Sequence, residues 1–289
     1  MTQTLGNYTG VERLPVFHRP MYKALAPTGE KVVLKSSDHE DYTEDALQAK
    51  RLLRHEETVL HAVEGHPSIC RVVEYVWGTP HDLLVLRHAG DKTLADVSPQ
   101  ETALIARALA SVSDALLHTH AQDVIHRDIK PKNIAIDENG NATLIDWNAA
   151  YREACPMPYW VPVGTGGYMG PEQVINRTPF RENDVHGLGA TFYRAMTGTP
   201  AFKFPKRKSL PSTLSKDRIQ QNFDAVHTER MHGDQYLFLH PHFSLEAVKP
   251  WRRVGELIVA CFSNPDLRPG MREIRDTTIE QFGLEGKFS

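Results

Sequence analysis

The segment from His126 to Asn148 constrains this chain more than any other. Two short runs, Ile134-Ala135-Ile136 and Thr143-Leu144-Ile145, are apolar and rich in β-branched residues, and Asn139-Gly140 lies between them. Asn-Gly between such runs is the strongest short-range hairpin signal, because both central residues of a type I′ turn need positive φ. With Asn139 and Gly140 at the turn centre, the ladder sets Asn133 opposite Asp146. An amide oxygen and a carboxylate then stand together at the open end of a rigid ribbon, and both are hard oxygen ligands of the kind a hydrated Mg2+ takes. Asp128 lies in the loop that enters the ribbon, where it can reach a bound molecule.

These residues resemble the signature of the eukaryotic-type protein kinase superfamily. His126-Arg127-Asp128, with Lys130 and Asn133, matches its catalytic loop, and Asp146-Trp147-Asn148 stands where the family has Asp-Phe-Gly. Gly164-Thr165 and Tyr168 precede Gly170-Pro171-Glu172, which resembles the Ala-Pro-Glu end of an activation segment. Asp184 to Gly189 is similar to the start of the long buried helix of the large lobe. Arg268-Pro269 resembles the late arginine that pairs with the Ala-Pro-Glu glutamate. His-Arg-Asp alone is a weak signal; the ordered series is a specific one. The resemblance implies an α+β, bilobal fold: a small antiparallel β-sheet lobe carrying one helix, and a larger, mainly helical lobe.

Composition is compatible with this and narrows the rest. With 289 residues, 40% of them hydrophobic, the chain can bury a substantial core. A net charge of −3 gives no global reason to expect nucleic acid or an anionic membrane as a partner. Cys70, Cys155 and Cys261 are widely spaced and odd in number, so neither a disulfide framework nor a zinc site is read from them. No apolar run approaches the length of a membrane span, and residues 1–10 are polar, unlike a signal peptide. A soluble protein of the cytoplasm or nucleus, monomeric by default, is the expectation.

In chain order, residues 1–12 lack periodicity and are expected to form a flexible arm, 13–88 the small lobe and 89–289 the large one. Met21–Ala26 and Lys31–Lys35 read as strands around a Pro27-Thr28-Gly29-Glu30 turn. Asp41 and Glu44 have capping-box spacing ahead of a helix whose apolar face comprises Ala49, Leu52, Leu53, Val59, Leu60 and Val63. Glu56 projects into the middle of that face and Glu57 does not. A carboxylate in an apolar stripe needs a partner, and Lys35 is the candidate. Cys70–Trp77 and Leu83–Leu86 are further strands around Gly78-Thr79-Pro80. Ser98-Pro99-Gln100-Glu101 reads as a capping box with proline at the first helical position, opening a helix striped by Leu104, Ile105, Ala108, Val112, Ala115 and Leu116. Helices near Leu245–Cys261 and Met271–Phe282 close the chain. Lys203, Lys206, Arg207 and Lys208 read as a solvated basic loop, and His240-Pro241-His242 shows no metal-ligand pattern.

From the resemblance follows a set of roles. ATP would be the phosphoryl donor, with Mg2+ held by Asn133 and Asp146. Lys35, paired with Glu56, would position the triphosphate; Asp128 would orient the hydroxyl of a protein substrate, and Lys130 would offset charge on the transferring group. Met21, Val33, Leu86, Arg87, Ala89, Ala135 and Ile145 would surround the nucleoside, with Arg87-His88-Ala89 as the hinge. Lys130 with Thr165 resembles serine/threonine rather than tyrosine kinases. Two departures stand out. Leu14, Val16 and Arg19 occupy the places of the three glycines of the phosphate-covering loop, and Pro20 lacks a donor; His18 or Arg19 would have to replace backbone contacts. Asp-Trp-Asn replaces Asp-Phe-Gly, a tryptophan shared with the casein kinase two family, and asparagine is read as the stand-in for a left-handed glycine. A pseudokinase serving as scaffold or allosteric partner is the alternative. A small-molecule phosphotransferase of related fold is the third reading.

Overall fold

Short β-branched runs broken by glycine-bearing turns build the first half of the molecule. The computed structural model describes residues 5–15, 20–37, 46–78, 81–155, 164–170, 173, 179–202, 244–263 and 265–284. Strands β1 (Thr9–Arg13), β2 (Met21–Leu25), β3 (Lys31–Ser36), β4 (Val72–Val76) and β5 (Leu83–Arg87) form one antiparallel sheet in the order β1-β2-β3-β5-β4. Val32 and Leu34 of β3 are fully buried and pack with Tyr8, Ala24, Ala26 and Val85. Strand alternation turns Val33 and Lys35 to the opposite face. Directly opposite pairs share a face, so Lys23, Val33 and Leu86 form one row there, and Met21, Lys35 and Leu84 the next.

Against the expectation of a loose arm, residues 9–13 are a strand and Tyr8 is buried, its hydroxyl donating to Glu74. Gly10, at φ +61, sits where the β1–β2 register slips between Thr9 and Glu12. Such a bulge breaks the period-2 pattern, which is why the strand does not show in the sequence.

Helix α1 (Ala46–Ala62) lies beside β4 and β5 and buries Ala49, Leu53, Val59 and Leu60, with Val63 following. The chain then crosses through β6 (Lys92–Thr93) to α2 (Thr102–Ala121), whose Ile105, Ala108, Val112, Ala115 and Leu116 are wholly buried. The Glu101 carboxylate does accept from Ser98 N at 2.7 Å, but it closes a separate turn, and the helix begins only at Thr102. After β7 (Val124–Ile125) come β8 (Ile134–Ile136), β9 (Ala142–Leu144) and β10 (Tyr151–Arg152), then α3 (Arg181–Thr197), α4 (Arg252–Ala260) and α5 (Met271–Phe282). The expected helix from Leu245 to Cys261 is in two pieces, a 3-10 turn Glu246–Trp251 holding Pro250 and then α4, whose first residue, Arg252, is at φ +47. A small sheet bearing one helix, set on a mainly helical part, is the bilobal α+β fold. No helix among the described residues is long and apolar enough to cross a membrane.

The β8–β9 hairpin is real, but its register differs from expectation. Ile134 pairs with Leu144, Ala135 with Thr143 and Ile136 with Ala142, so Asn133 faces Ile145 and not Asp146. The Asp137 carboxylate explains the shift: it accepts from Asn139 N (2.9 Å) and Asn141 N (2.7 Å), and Gly140 N bonds the Asp137 carbonyl (3.0 Å). In this loop Gly140 has positive φ and Asn139 does not, giving a type I turn followed by a left-handed glycine, a three-residue loop rather than a type I′ pair.

Close packing of α3 on α4 depends on Gly189. A Cβ there would meet Cys261 Cβ at 2.5 Å and the Ile258 carbonyl at 3.1 Å. Gly189→Ala is therefore expected to lower unfolding free energy by about 1–3 kcal/mol, the range for overpacking a core, read from the midpoint of urea unfolding. The Asp41–Glu44 box, residues 16, 18 and 19 of the glycine-poor loop, Thr79-Pro80, Tyr159, Pro171-Glu172, the run from Lys203 to Lys208 and His240–His242 lie outside the described residues.

Candidate active site

The cleft between sheet and helices is set by one ammonium shared between two carboxylates. Lys35, 4% exposed at the end of β3, places Nζ 2.7 Å from Glu56 Oε1 and 2.9 Å from Asp146 Oδ1. Glu56 comes from the buried face of α1; Glu57 points aside and accepts from Arg54 at 2.7 Å. Burial disfavours the charged lysine, but the Asp146 and Glu56 carboxylates outweigh it, so its pKa lies above the usual lysine range. Burial likewise pushes the Asp146 carboxyl up, and Lys35, by charge and hydrogen bond, outweighs it and brings it down to about 2. Both groups are charged at neutral pH.

Glu56 Oε1 also accepts from Trp147 N at 3.1 Å, which ties α1 to the strand end. Trp147 is fully buried, its indole N–H donating to the Leu144 carbonyl (3.3 Å) and its ring set edge-on to His126. The left-handed residue of this triplet is Asp146 (φ +64), whereas Asn148 lies in a 3-10 turn, Trp147–Ala149, without positive φ. The glycine-like role expected of Asn148 is thus not the one it has. Its side chain instead donates Nδ2 to Asp146 Oδ1 at 2.5 Å.

Asp128 is the second centre. Its Oδ1 accepts from Thr165 Oγ1 (2.7 Å) and its Oδ2 from Lys130 Nζ (2.6 Å) and Asn133 Nδ2 (3.1 Å). Asn133 also donates to the Asp128 carbonyl (2.8 Å), and Lys130 reaches Thr165 Oγ1 (2.9 Å). The loop is held from beneath by Asp184 of α3. That carboxylate, with no exposed surface, accepts from His126 N (2.9 Å), Arg127 N (2.8 Å) and His120 Nε2 (2.9 Å). Arg127, at φ +67, is bent by this clamp, which turns Asp128 towards the cleft.

In the hairpin Asn133 stands level with Ile145, whose N–H bonds the Asn133 carbonyl (2.9 Å), so Asp146 follows one residue past it in a left-handed turn. Among the described residues, Asp146 Oδ2 accepts no hydrogen bond, and the side chain is 37% exposed. An open carboxylate oxygen suits Mg2+, which takes one or two protein carboxylates and completes its shell with water and phosphate.

Leu86 and Ala135 are buried, and Val33 and Ile145 are partly exposed. Arg87 directs its side chain outward to Glu30 (3.0 Å), and its backbone N–H donates to the Arg71 carbonyl (2.9 Å). Met21 sits opposite Lys35, and Lys23 is the neighbour of Val33. Lys23 also forms an ion pair with Asp91, just past the hinge. Three contributors were missed or misread in the sequence. The sequence marks Thr165 only by its place in a motif and Asp184 only as the start of a helix, and it shows Asn148 only as a residue tolerant of left-handed φ.

Exchanging Glu56 for glutamine is expected to cost far more in any activity that uses Lys35 than Glu57→Gln, by about 10-fold or more, since a charge-assisted bond is worth roughly 1.5–3 kcal/mol. Side-by-side steady-state kinetics of the two variants decides this; a larger loss in the Glu57 variant would contradict the pairing.

Fold and site together define a class: a bilobal α+β fold with a buried lysine shared between a glutamate and an aspartate, and a second aspartate held in a loop by a lysine and an asparagine. The profile described as protein kinase domain matches residues 20–278, and the chain belongs to this family. It is similar to rhodopsin kinase grk7a of Danio rerio, 34% identical over 113 residues, which are 39% of this chain and 20% of that protein. It is similar also to serine/threonine-protein kinase pkn2 of Myxococcus xanthus, 29% identical over 188 residues, 61% of this chain and 22% of that protein. A probable serine/threonine-protein kinase of Dictyostelium discoideum is 28% identical over 269 residues, 85% of this chain and 53% of that protein. The chain spans between a fifth and about half of the length of these relatives.

Proposed function

We propose that this protein is an active serine/threonine protein kinase that moves the γ-phosphoryl group of ATP to a hydroxyl of a protein substrate. The observation that carries the reading is a pair of bonded clusters, Lys35 with Glu56 and Asp146, and Asp128 with Lys130 and Asn133, with Lys130 close enough for its charge to act on Asp146. In the reaction, the acceptor oxygen forms a bond to the γ-phosphorus as the bond to the bridging oxygen of ADP breaks. Asp128 orients the acceptor hydroxyl and takes its proton. Lys130, bonded to both Asp128 and Thr165, stands where charge develops on the transferring group. Lys35, braced by Glu56, holds the phosphates. Mg2+ on Asn133 and Asp146 would supply neutralisation of phosphate charge.

The second reading, a pseudokinase, draws on the link between β1 and β2. The ladder runs as far as Leu14 N to the Met21 carbonyl (2.8 Å), so residues 15–20, which contain no glycine, make the whole connection. Incubation with γ-labelled ATP, Mg2+ and mixed generic protein substrates, followed by acid hydrolysis, tests the proposal. Label on phosphoserine and phosphothreonine is expected. Label confined to phosphotyrosine would overturn the substrate class.

A further inference from the structure

We infer that Asn148 is a positioning residue for the divalent cation: its side-chain amide locks the Asp146 carboxylate in the orientation that offers Oδ2 to the metal. The inference rests on the reading of Asp146 as the metal carboxylate.

The geometry is specific. Two donors, Lys35 Nζ at 2.9 Å and Asn148 Nδ2 at 2.5 Å, converge on the same oxygen, Oδ1 of Asp146. Two bonds to one oxygen fix the carboxylate's rotation, and Oδ2 accepts none among the described residues. The two donors are not equivalent. Lys35 already divides its three N–H groups with Glu56, and in the proposed reaction it must also serve phosphate. Asn148 has no such second duty. Its amide oxygen is shielded from solvent and accepts no hydrogen bond among the described residues, so the side chain is held there by its donor end. The backbone does not require this residue type either, since Asn148 is not left-handed. What the asparagine contributes is the amide.

Hydrogen-bond partners of metal ligands typically change metal affinity 10–100-fold when removed. The test uses two variants: Asn148→Gly, which deletes the side chain, and Asn148→Leu, which keeps a similar volume without a donor. ATP is titrated calorimetrically at a series of Mg2+ concentrations into wild type, both variants and Asp146→Asn, after thermal melts establish cooperative folding. Both Asn148 variants are expected to need about 10-fold more Mg2+ for half of the metal-dependent gain in ATP affinity, while metal-free ATP binding stays within about two-fold, as expected when the removed bond acts only through the metal ligand. An unchanged Mg2+ requirement in Asn148→Gly, or recovery of the wild-type requirement by leucine, would overturn the role. If Asp146→Asn alters the Mg2+ dependence and Asn148→Gly does not, the metal site stands and the Asn148 assignment falls. If wild type itself shows no metal-dependent gain, both fall together. Mn2+ in place of Mg2+, read by its electron paramagnetic resonance signal, gives the same comparison without any turnover.

Discussion

Asp146→Asn is expected to lower phosphoryl transfer by about 10^3-fold, within the range for removing a preorganised group that meets transition-state charge, while the protein still unfolds cooperatively. The substitution preserves shape. It removes the negative charge that is present at neutral pH because Lys35 outweighs the cost of burial. Lys35 keeps Glu56 as a partner at 2.7 Å, so the strand–helix link survives the change. Single-turnover transfer at saturating Mg2+, alongside a thermal melt, measures both parts. Turnover equal to wild type would remove Asp146 from the metal site.

The largest effect on stability is expected at Asp184. Alanine there leaves the amides of His126 and Arg127 and the ring of His120 without their acceptor in a site closed to water. Breaking a buried charged network by removing one partner costs about 3–5 kcal/mol, and Asp184→Asn, which keeps an acceptor oxygen, is expected to cost less. Urea unfolding of both variants checks the order. Burial raises the Asp184 pKa, but the hydrogen bond and charge of His120, with the charge of His126 and the Arg127 amide, lower it further, leaving it below the ordinary carboxylate value. A depressed folded-state pKa means that the stabilisation is present above the unfolded pKa and is lost as pH falls through the folded one. The advantage of wild type over Asp184→Asn should therefore shrink on acidification below the usual aspartate range and stay level from there up to neutrality.

Much of this was legible in the chain because the decisive signals are local. The short apolar run in Lys31–Lys35 and the turn before it predicted the β2–β3 hairpin. Helical spacing alone separated Glu56 from Glu57, and the two side chains do point to different partners. What escaped depended on contacts distant in sequence or on competition within a turn. Asp137 capping Asn139 and Asn141 decided the turn type that Asn-Gly alone left to a default. Gly10 hid β1 by breaking its period. Asp184 serves residues more than fifty positions earlier, and no local pattern announces that. Asn148 shows a different failure: reading it as a substitute for glycine directed attention to φ, whereas its amide is what meets Asp146.

The central claim is that Asp128 and its neighbours make this cleft catalytic and not merely able to bind nucleotide. The most direct measurement is γ-phosphoryl transfer in a single turnover, wild type beside Asp128→Asn, with ATP affinity in the presence of Mg2+ determined for both proteins. Mg2+-dependent ATP binding is expected in both, with transfer to serine or threonine by wild type and a loss of about 10^2–10^4-fold in the variant, the usual contribution of a positioned proton acceptor. Wild type that binds Mg2+ and ATP yet transfers nothing, or a variant that transfers as well as wild type, would contradict that claim.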